Sequence, residues 1–168
     1  TTRYKGQVNV MTIAWTCPIS LIPPQVMLAI HPSRYTHDML KRSEECVLNI
    51  PGRPLLDQVV KCGSVSGADA DKIQLTGLRL ESPKRVEAPW IDQCLAHIEC
   101  HVVDLITAGD HTLFVAEVVG AWAEEEAFDG VWLAPADNEE LQPLCHLGGD
   151  RFCLIGTKLR FPEESPDQ

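Results

Sequence analysis

The sequence predicts a mainly β domain, a closed antiparallel barrel with short helices packed outside it. Two long runs rich in β-branched and aromatic residues, 95–107 and 111–122, flank Ala108-Gly109-Asp110, whose turn residues suit a tight reversal between antiparallel strands. Shorter runs of similar composition are bounded by Pro and Gly. The stretches with helical spacing between them are brief, so helices cover a sheet and do not form a bundle of their own.

The elements follow in order. Residues 8–16 and 25–31 read as strands from their Val, Thr, Ile and Trp content, the second bounded by Pro24 and Pro32. Residues 35–45 read as a surface helix whose apolar patch is Met39 and Leu40, with Ser33 or Thr36 as the start cap. A short strand at 46–50 is stopped by Pro51-Gly52. Behind Pro54, tolerated at a first helical position, Leu55, Leu56, Val59 and Val60 recur at helical spacing and predict a second helix, broken at 62–67. One or two further turns fall at 70–75. Residues 78–91, with Pro83 and Pro89, read as extended. After the long hairpin come an acidic excursion at 124–129 and two short strands, 144–147 and 152–156, around Gly148-Gly149. With no repeat and no linker, residues 1–161 make a single domain. The polar, Pro-containing tail 162–168 is expected to be disordered.

Composition narrows the function. The 168 residues carry 24 acidic against 14 basic side chains, a formal charge of −10, which opposes the counterion release that drives binding to nucleic acid or anionic membranes. Seven cysteines, an odd number without a Cys-x-x-Cys pair, read as reduced thiols in a cytoplasmic protein. Residues 7–30 hold no charged side chain, yet Pro18, Pro23 and Pro24 would break a spanning helix, so no membrane segment and no signal peptide is expected.

Three groups of residues merit a chemical reading. Cys94, His97, Cys100 and His101 are zinc-ligand types, but strand alternation sends His97 and His101 one way and Cys100 the other, so no metal is expected. Cys145 and His146 are adjacent on a strand and point to opposite faces, which excludes a dyad between them; G-x-S-x-G, Walker and G-x-G-x-x-G sequences are also absent. Ser33-Arg34-Tyr35-Thr36, and Ser64, Ser66, Gly67 and Lys72, each gather hydroxyls with a cation, the second with a glycine that permits close backbone approach. Both suit an anion such as phosphate, with Arg34 and Lys72 as its cations.

Asn9-Val10-Met11-Thr12-Ile13-Ala14-Trp15, Ile22-Pro23-Pro24, Arg34-Tyr35-Thr36, Leu48-Asn49-Ile50-Pro51, Ser66-Gly67 with Asp71-Lys72, Ala88-Pro89, Glu99-Cys100, Gly109-Asp110-His111, Phe114-Val115-Ala116-Glu117-Val118 and Leu147-Gly148-Gly149 recur in this order and spacing. In them the chain resembles the flavin reductase-like, FMN-binding split-barrel family, its flavoredoxin branch above all, over nearly its whole length. The resemblance implies a six-stranded Greek-key split barrel working as a homodimer, with FMN in a groove near the subunit interface. It implies that Asn9, Val10, Met11, Thr12, Ala14 and Trp15 run along the isoalloxazine. Arg34, Tyr35, Thr36, Asn49, Ser66, Gly67 and Lys72 then hold the remainder of the cofactor. Gly109-Asp110-His111 matches a motif that places His111 beside a nicotinamide. Two departures stand out: the family has a further strand upstream of Thr1-Thr2, so that a barrel strand is expected to be short or missing, and Ala116 replaces a frequent glycine.

These readings imply an NAD(P)H-dependent flavin reductase or flavoredoxin-like electron carrier that passes electrons to a flavin or another acceptor. The chemistry belongs to FMN, and no side chain is assigned a catalytic role. A non-catalytic FMN-binding protein for storage or sensing is the alternative. An amine-oxidising relative handling a pyridoxal-like phosphate lacks the motifs.

Overall fold

The structure, a computed structural model, describes residues 1–156, so the predicted tail 162–168 lies outside the described residues. It opens with a small ribbon, β1 (Thr2–Tyr4) against β2 (Gln7–Asn9), reversing through Lys5-Gly6, where Gly6 takes φ 80°. The single strand expected over 8–16 is broken here. β2 stops at Asn9, whose side chain is buried and donates from Nδ2 to Thr36 Oγ1 at 2.7 Å, and residues 10–14 leave the ribbon outside any strand before Trp15 O accepts Ala29 N at 3.0 Å. Pairing resumes in β3 (Thr16–Leu21) and β4 (Pro24–Ile30). Pro18 sits in β3 without harm because β3 is an edge strand, where its missing N–H has no partner to lose.

α1 (Tyr35–Ser43) starts at Arg34 without a side-chain cap. The expected caps are employed elsewhere: Ser33 Oγ bonds His31 Nδ1, and the Thr36 hydroxyl turns inward to Asn9. The left-handed Glu44 ends the helix, and β5 (Glu45–Ile50) follows. A 3-10 turn (Arg53–Leu55) feeds directly into α2 (Leu56–Ser64), which runs through Cys62, two residues past the predicted break. α3 (Lys72–Thr76) begins later than expected because Asp71 caps it, accepting the N–H groups of Ile73 and Gln74. In the expected extended stretch only β6 (Leu80–Glu81) and β7 (Trp90–Ile91) pair. The long hairpin is β8 (Ala96–Ala108) and β9 (His111–Ala123), turning on Gly109 at φ 62°. A second 3-10 turn (Glu139–Leu141) leads to the short hairpin β10 (Cys145–Gly148) and β11 (Arg151–Cys153).

β3-β4-β9-β8-β5 form one antiparallel sheet. Beyond its β5 edge, Thr1 and Val47 exchange both backbone hydrogen bonds, at 2.8 and 3.0 Å, so the chain's start lies alongside β5. One face of the sheet packs Leu28, Ile30, Cys46, Cys100, Phe114 and Ala116 with Leu40 of α1. The methyl of Ala116 is fully buried in this core. Phe114, also fully buried, contributes about 1.5–3 kcal/mol by leaving water. A second cluster joins Val10, Leu55, Cys62, Leu78, Ile91 and Cys94 and fixes α2 beside the 10–14 segment. Buried Glu99 organises the loop between β6 and β7: it accepts from Lys84 N (2.8 Å), Arg85 N (2.5 Å) and Trp90 Nε1 (2.5 Å). Among the described residues, no helix is long and apolar enough to cross a membrane.

Candidate functional site

The unpaired segment at 10–14 forms one wall of a cavity of about 350 Å3. Val10 to Ala14 face the end of β5 (Leu48 to Ile50) and Pro51. Leu55, Gln58, Val59 and Cys62 close another side, and Leu144, His146 and Phe152 close the last. Thr12 Oγ1 donates to Val59 O at 2.5 Å, tying the unpaired segment to α2. The lining is apolar except at a few points, and one is decisive: Gln58 Oε1 is buried with no hydrogen-bond partner. An orphaned acceptor costs about 1–3 kcal/mol, so this wall is built to receive a donor.

The sequence-predicted residues divide by position. Val10, Met11, Thr12, Ala14 and Asn49 line the cavity. Asn49 is committed as a strut: Oδ1 accepts from Ile91 N (2.9 Å) and bonds His97 Nδ1 (3.0 Å), while Nδ2 donates to Thr1 Oγ1 (3.2 Å) and Val47 O (3.1 Å). Asn9, Tyr35, Thr36 and Gly67 converge in a corner next to Val10. A Cβ at Gly67 would collide with the Asn9 side chain and stand 2.9 Å from Tyr35 Cδ1, so glycine is what admits this backbone. Tyr35 donates its hydroxyl to Gln7 Oε1 at 2.9 Å.

Two cations approach this corner. Lys72, 5% exposed, donates from Nζ to Cys62 O at 2.7 Å, so part of its charge satisfies the C-terminal end of α2. Burial lowers its pKa; the Cys62 thiol opposes that shift and the Arg34 charge adds to it. The exposed Arg34 guanidinium has no hydrogen-bond or ion-pair partner among the described residues. Ser66 Oγ accepts from Ala68 N at 3.2 Å, and Ser64 donates to Lys61 O at 3.0 Å.

Trp15 and His111 lie outside the lining. The 63% exposed indole of Trp15 meets the His111 ring at 4.8 Å, His31 meets His111 edge-on at 5.3 Å, and His111 Nδ1 sits 2.7 Å from Asp110 Oδ1. This aromatic rim adjoins the cavity through Ala14 and Thr16. Among the described residues no three His, Cys, Asp or Glu side chains converge as a metal site. Cys94 packs in the α2 cluster, His97 against Trp90, and Cys100 in the sheet core.

Sequence reasoning missed Gln58, His146 and Phe152. A signal for Gln58 was present: with Leu55, Val59 and Cys62 it completes an i, i+3, i+4, i+7 stripe, and a polar residue inside an apolar stripe asks for a partner. The C-terminal pair had no local signal, because it reaches the groove only through tertiary folding.

Residues 1–150 match the model of the flavin reductase like domain, and the chain belongs to that family. An uncharacterized protein of Archaeoglobus fulgidus is 43% identical over 66% of this chain and 63% of its own length. The reductase component of a Rhodococcus opacus 4-nitrophenol 4-monooxygenase/4-nitrocatechol 2-monooxygenase is 30% identical over 67% of this chain and 57% of its own. The chain thus spans less than two thirds of either relative. The crystal structure of an FMN-binding domain of flavin reductases-like enzyme from Shewanella baltica superposes with a TM-score of 0.86 at 28% identity, covering 96% of this chain and 86% of that one. The family implies a flavin, and the residues present fit one: apolar walls for a planar ring, an orphaned acceptor in Gln58, and an unpaired guanidinium at the adjoining corner.

Proposed function

We propose that the groove holds FMN and that the protein is a flavin reductase-type oxidoreductase, taking a hydride from NADH or NADPH and delivering electrons to a flavin or another acceptor. The observation that carries the reading is an apolar cavity with the orphaned acceptor Gln58 Oε1, beside a corner where Arg34 is unpaired. Bound there, the flavin supplies a ring that accepts hydride and releases electrons. The chain's residues bind and orient. Val10 to Ala14 and the Leu55–Val59 side of α2 sandwich the ring and exclude water, while Gln58 accepts a hydrogen bond from a ring N–H. Arg34 provides the main phosphate contact, with the Ser66 hydroxyl beside it. Lys72 contributes charge from behind, because one of its donors is held by Cys62 O. His111, tilted against Trp15 at the rim, orients the nicotinamide without touching the flavin. The FMN-binding domain from Shewanella baltica supports the cofactor, and the monooxygenase reductase component from Rhodococcus opacus supports a reductase role.

Titrating apoprotein with FMN and with riboflavin tests the cofactor assignment. FMN should bind more tightly, and Arg34→Ala should cost FMN roughly tenfold or more, the value of a charge-assisted contact at about 1.5–3 kcal/mol, with riboflavin unaffected. Equal affinities for the two ligands reject the phosphate corner. For the hydride step, His111→Ala should slow flavin reduction by NADH or NADPH roughly tenfold in stopped-flow, leaving FMN affinity and dithionite reduction intact. An unchanged rate at all nucleotide concentrations removes His111 from the step. A parent protein that keeps FMN and oxidises neither nucleotide is an electron carrier fed by another donor or a non-catalytic FMN-binding protein.

A further inference from the structure

The C-terminal hairpin places two thiols face to face. Cys145 and Cys153 are direct partners in the antiparallel β10–β11 register, and both are free and exposed. The next pair, His146 and Phe152, lines the groove with ring centroids 5.1 Å apart. Side chains alternate along a strand, so the two cysteines project together on the opposite, outer face. Facing Cα atoms in an antiparallel ladder are about 4.5–5.5 Å apart, inside the roughly 4.4–6.8 Å window of a disulfide. Burial and the adjacent Cys153 thiol both push the Cys145 pKa up, in keeping with two sulfurs in close reach.

The remaining cysteines provide the contrast. Cys46 and Cys100 are also register partners, but at 4% and 0% exposure they are closed to reagents. Cys62 and Cys94 are buried in the α2 cluster. Cys17 is exposed on β3 with no thiol as its register partner, which is Met27.

We infer that Cys145 and Cys153 are a redox modification site, closing reversibly into a disulfide in response to low-molecular-weight disulfides. One thiolate attacks the oxidant's S–S bond and releases its first half as a thiol. The second cysteine then attacks the mixed disulfide and releases the other half. The two cysteines lose two electrons and two protons, and the oxidant's disulfide leaves as two thiols. The new bond staples the two strands that present His146 and Phe152 to the groove. This inference stands apart from the flavin reading, since it needs only the hairpin.

The test treats the purified full chain with oxidised glutathione, alkylates the remaining thiols, and reads intact mass and a tryptic map. Trypsin alone leaves Cys94, Cys100 and Cys145 in one peptide, 86–151, so the map adds a Glu-C digestion: the cut after Glu140 isolates Cys145 in 141–151, and the cut after Arg151 parts it from Cys153 unless a disulfide joins them. The expected result is a loss of about 2 Da with the Cys145 and Cys153 peptides linked, reversed by dithiothreitol. Cys145→Ser and Cys153→Ser should each retain a glutathione adduct on the surviving cysteine. Three results overturn the inference: stable glutathione on both cysteines of the parent, a linkage of either to a different cysteine, or an unreacted pair while Cys17 takes up glutathione.

Discussion

His97 is built into the sheet as a neutral ring. It is 7% exposed, stacked on Trp90 at 4.5 Å with planes 7° apart, and its Nδ1 lies 3.0 Å from Asn49 Oδ1, an acceptor that fixes the proton on that nitrogen. Burial pulls its pKa down from the usual 6.5 to about 4; Asp92 and Glu99 resist the shift and Lys84 adds to it. The sign of the consequence follows from proton counting. Below pH 6.5 the unfolded chain takes up a proton that the folded chain refuses until about pH 4, so His97's contribution to stability is complete above 6.5 and lost between those values. After allowance for solvent screening the loss is roughly 1–2 kcal/mol. Urea unfolding of the parent and of His97→Phe isolates this effect, because other titrations cancel in the difference. The stability gap between the two should narrow as pH falls from 7 to about 4, and a gap independent of pH would show that His97 is not the group responsible.

At the scale of elements, the long hairpin was legible almost to the residue. Its two runs are β-rich throughout and Gly109-Asp110 supplies the turn chemistry locally, while the register shifts at Glu99/Cys100 and Val102/Asp104 left no mark in the composition. Residues 8–16 were misread because β-propensity detects extended backbone and says nothing about whether a partner strand is available; at Asn9 a buried bond to Thr36, distant in sequence, decides the matter. The groove follows the same division. Its 10–14 wall and the basic corner were visible as motifs, whereas the third wall depends on how the C-terminal hairpin is anchored. That anchor is Gly52, which bridges to Pro143, while Leu144 N donates to Pro51 O at 3.0 Å. A Cβ on Gly52 would stand 2.6 Å from the backbone oxygen of Glu140 and 3.1 Å from Leu95 Cδ1. A backbone oxygen cannot swing aside as a side chain does. Gly52→Ala should therefore cost about 1–3 kcal/mol in urea unfolding and weaken FMN by displacing the wall that carries His146 and Phe152. Parental stability and parental FMN affinity in this variant would show that the close approach does not matter.

Taken whole, the molecule has a sheet with two unlike faces. One sends Leu28, Phe114 and Ala116 into the core. On the other, Met27 pairs with Val115 and Ala29 with Leu113 across β4 and β9, and Ile106, 47% exposed, pairs with Leu113 from β8. An apolar sheet face left in water is costly, and polar residues are the usual remedy; here they stand only at the borders of the patch, where Gln25 pairs with Glu117 and Asp104 lies opposite Val115. We propose that a second copy covers this face, the homodimer that the family resemblance implies. Charge works against it, since each copy carries −10, so association should tighten as salt screens the repulsion. Sedimentation at about 10 μM should give twice the monomer mass, with a larger dimer fraction at higher ionic strength. Leu113→Asp places a charge between Ala29 and Ile106, where it stays solvated in the monomer and would be buried only by the partner; it should sediment as a folded monomer with unchanged circular dichroism. A parent chain that stays monomeric at that concentration while holding one FMN per chain would separate the groove from any subunit interface and leave the apolar face without the partner assigned to it.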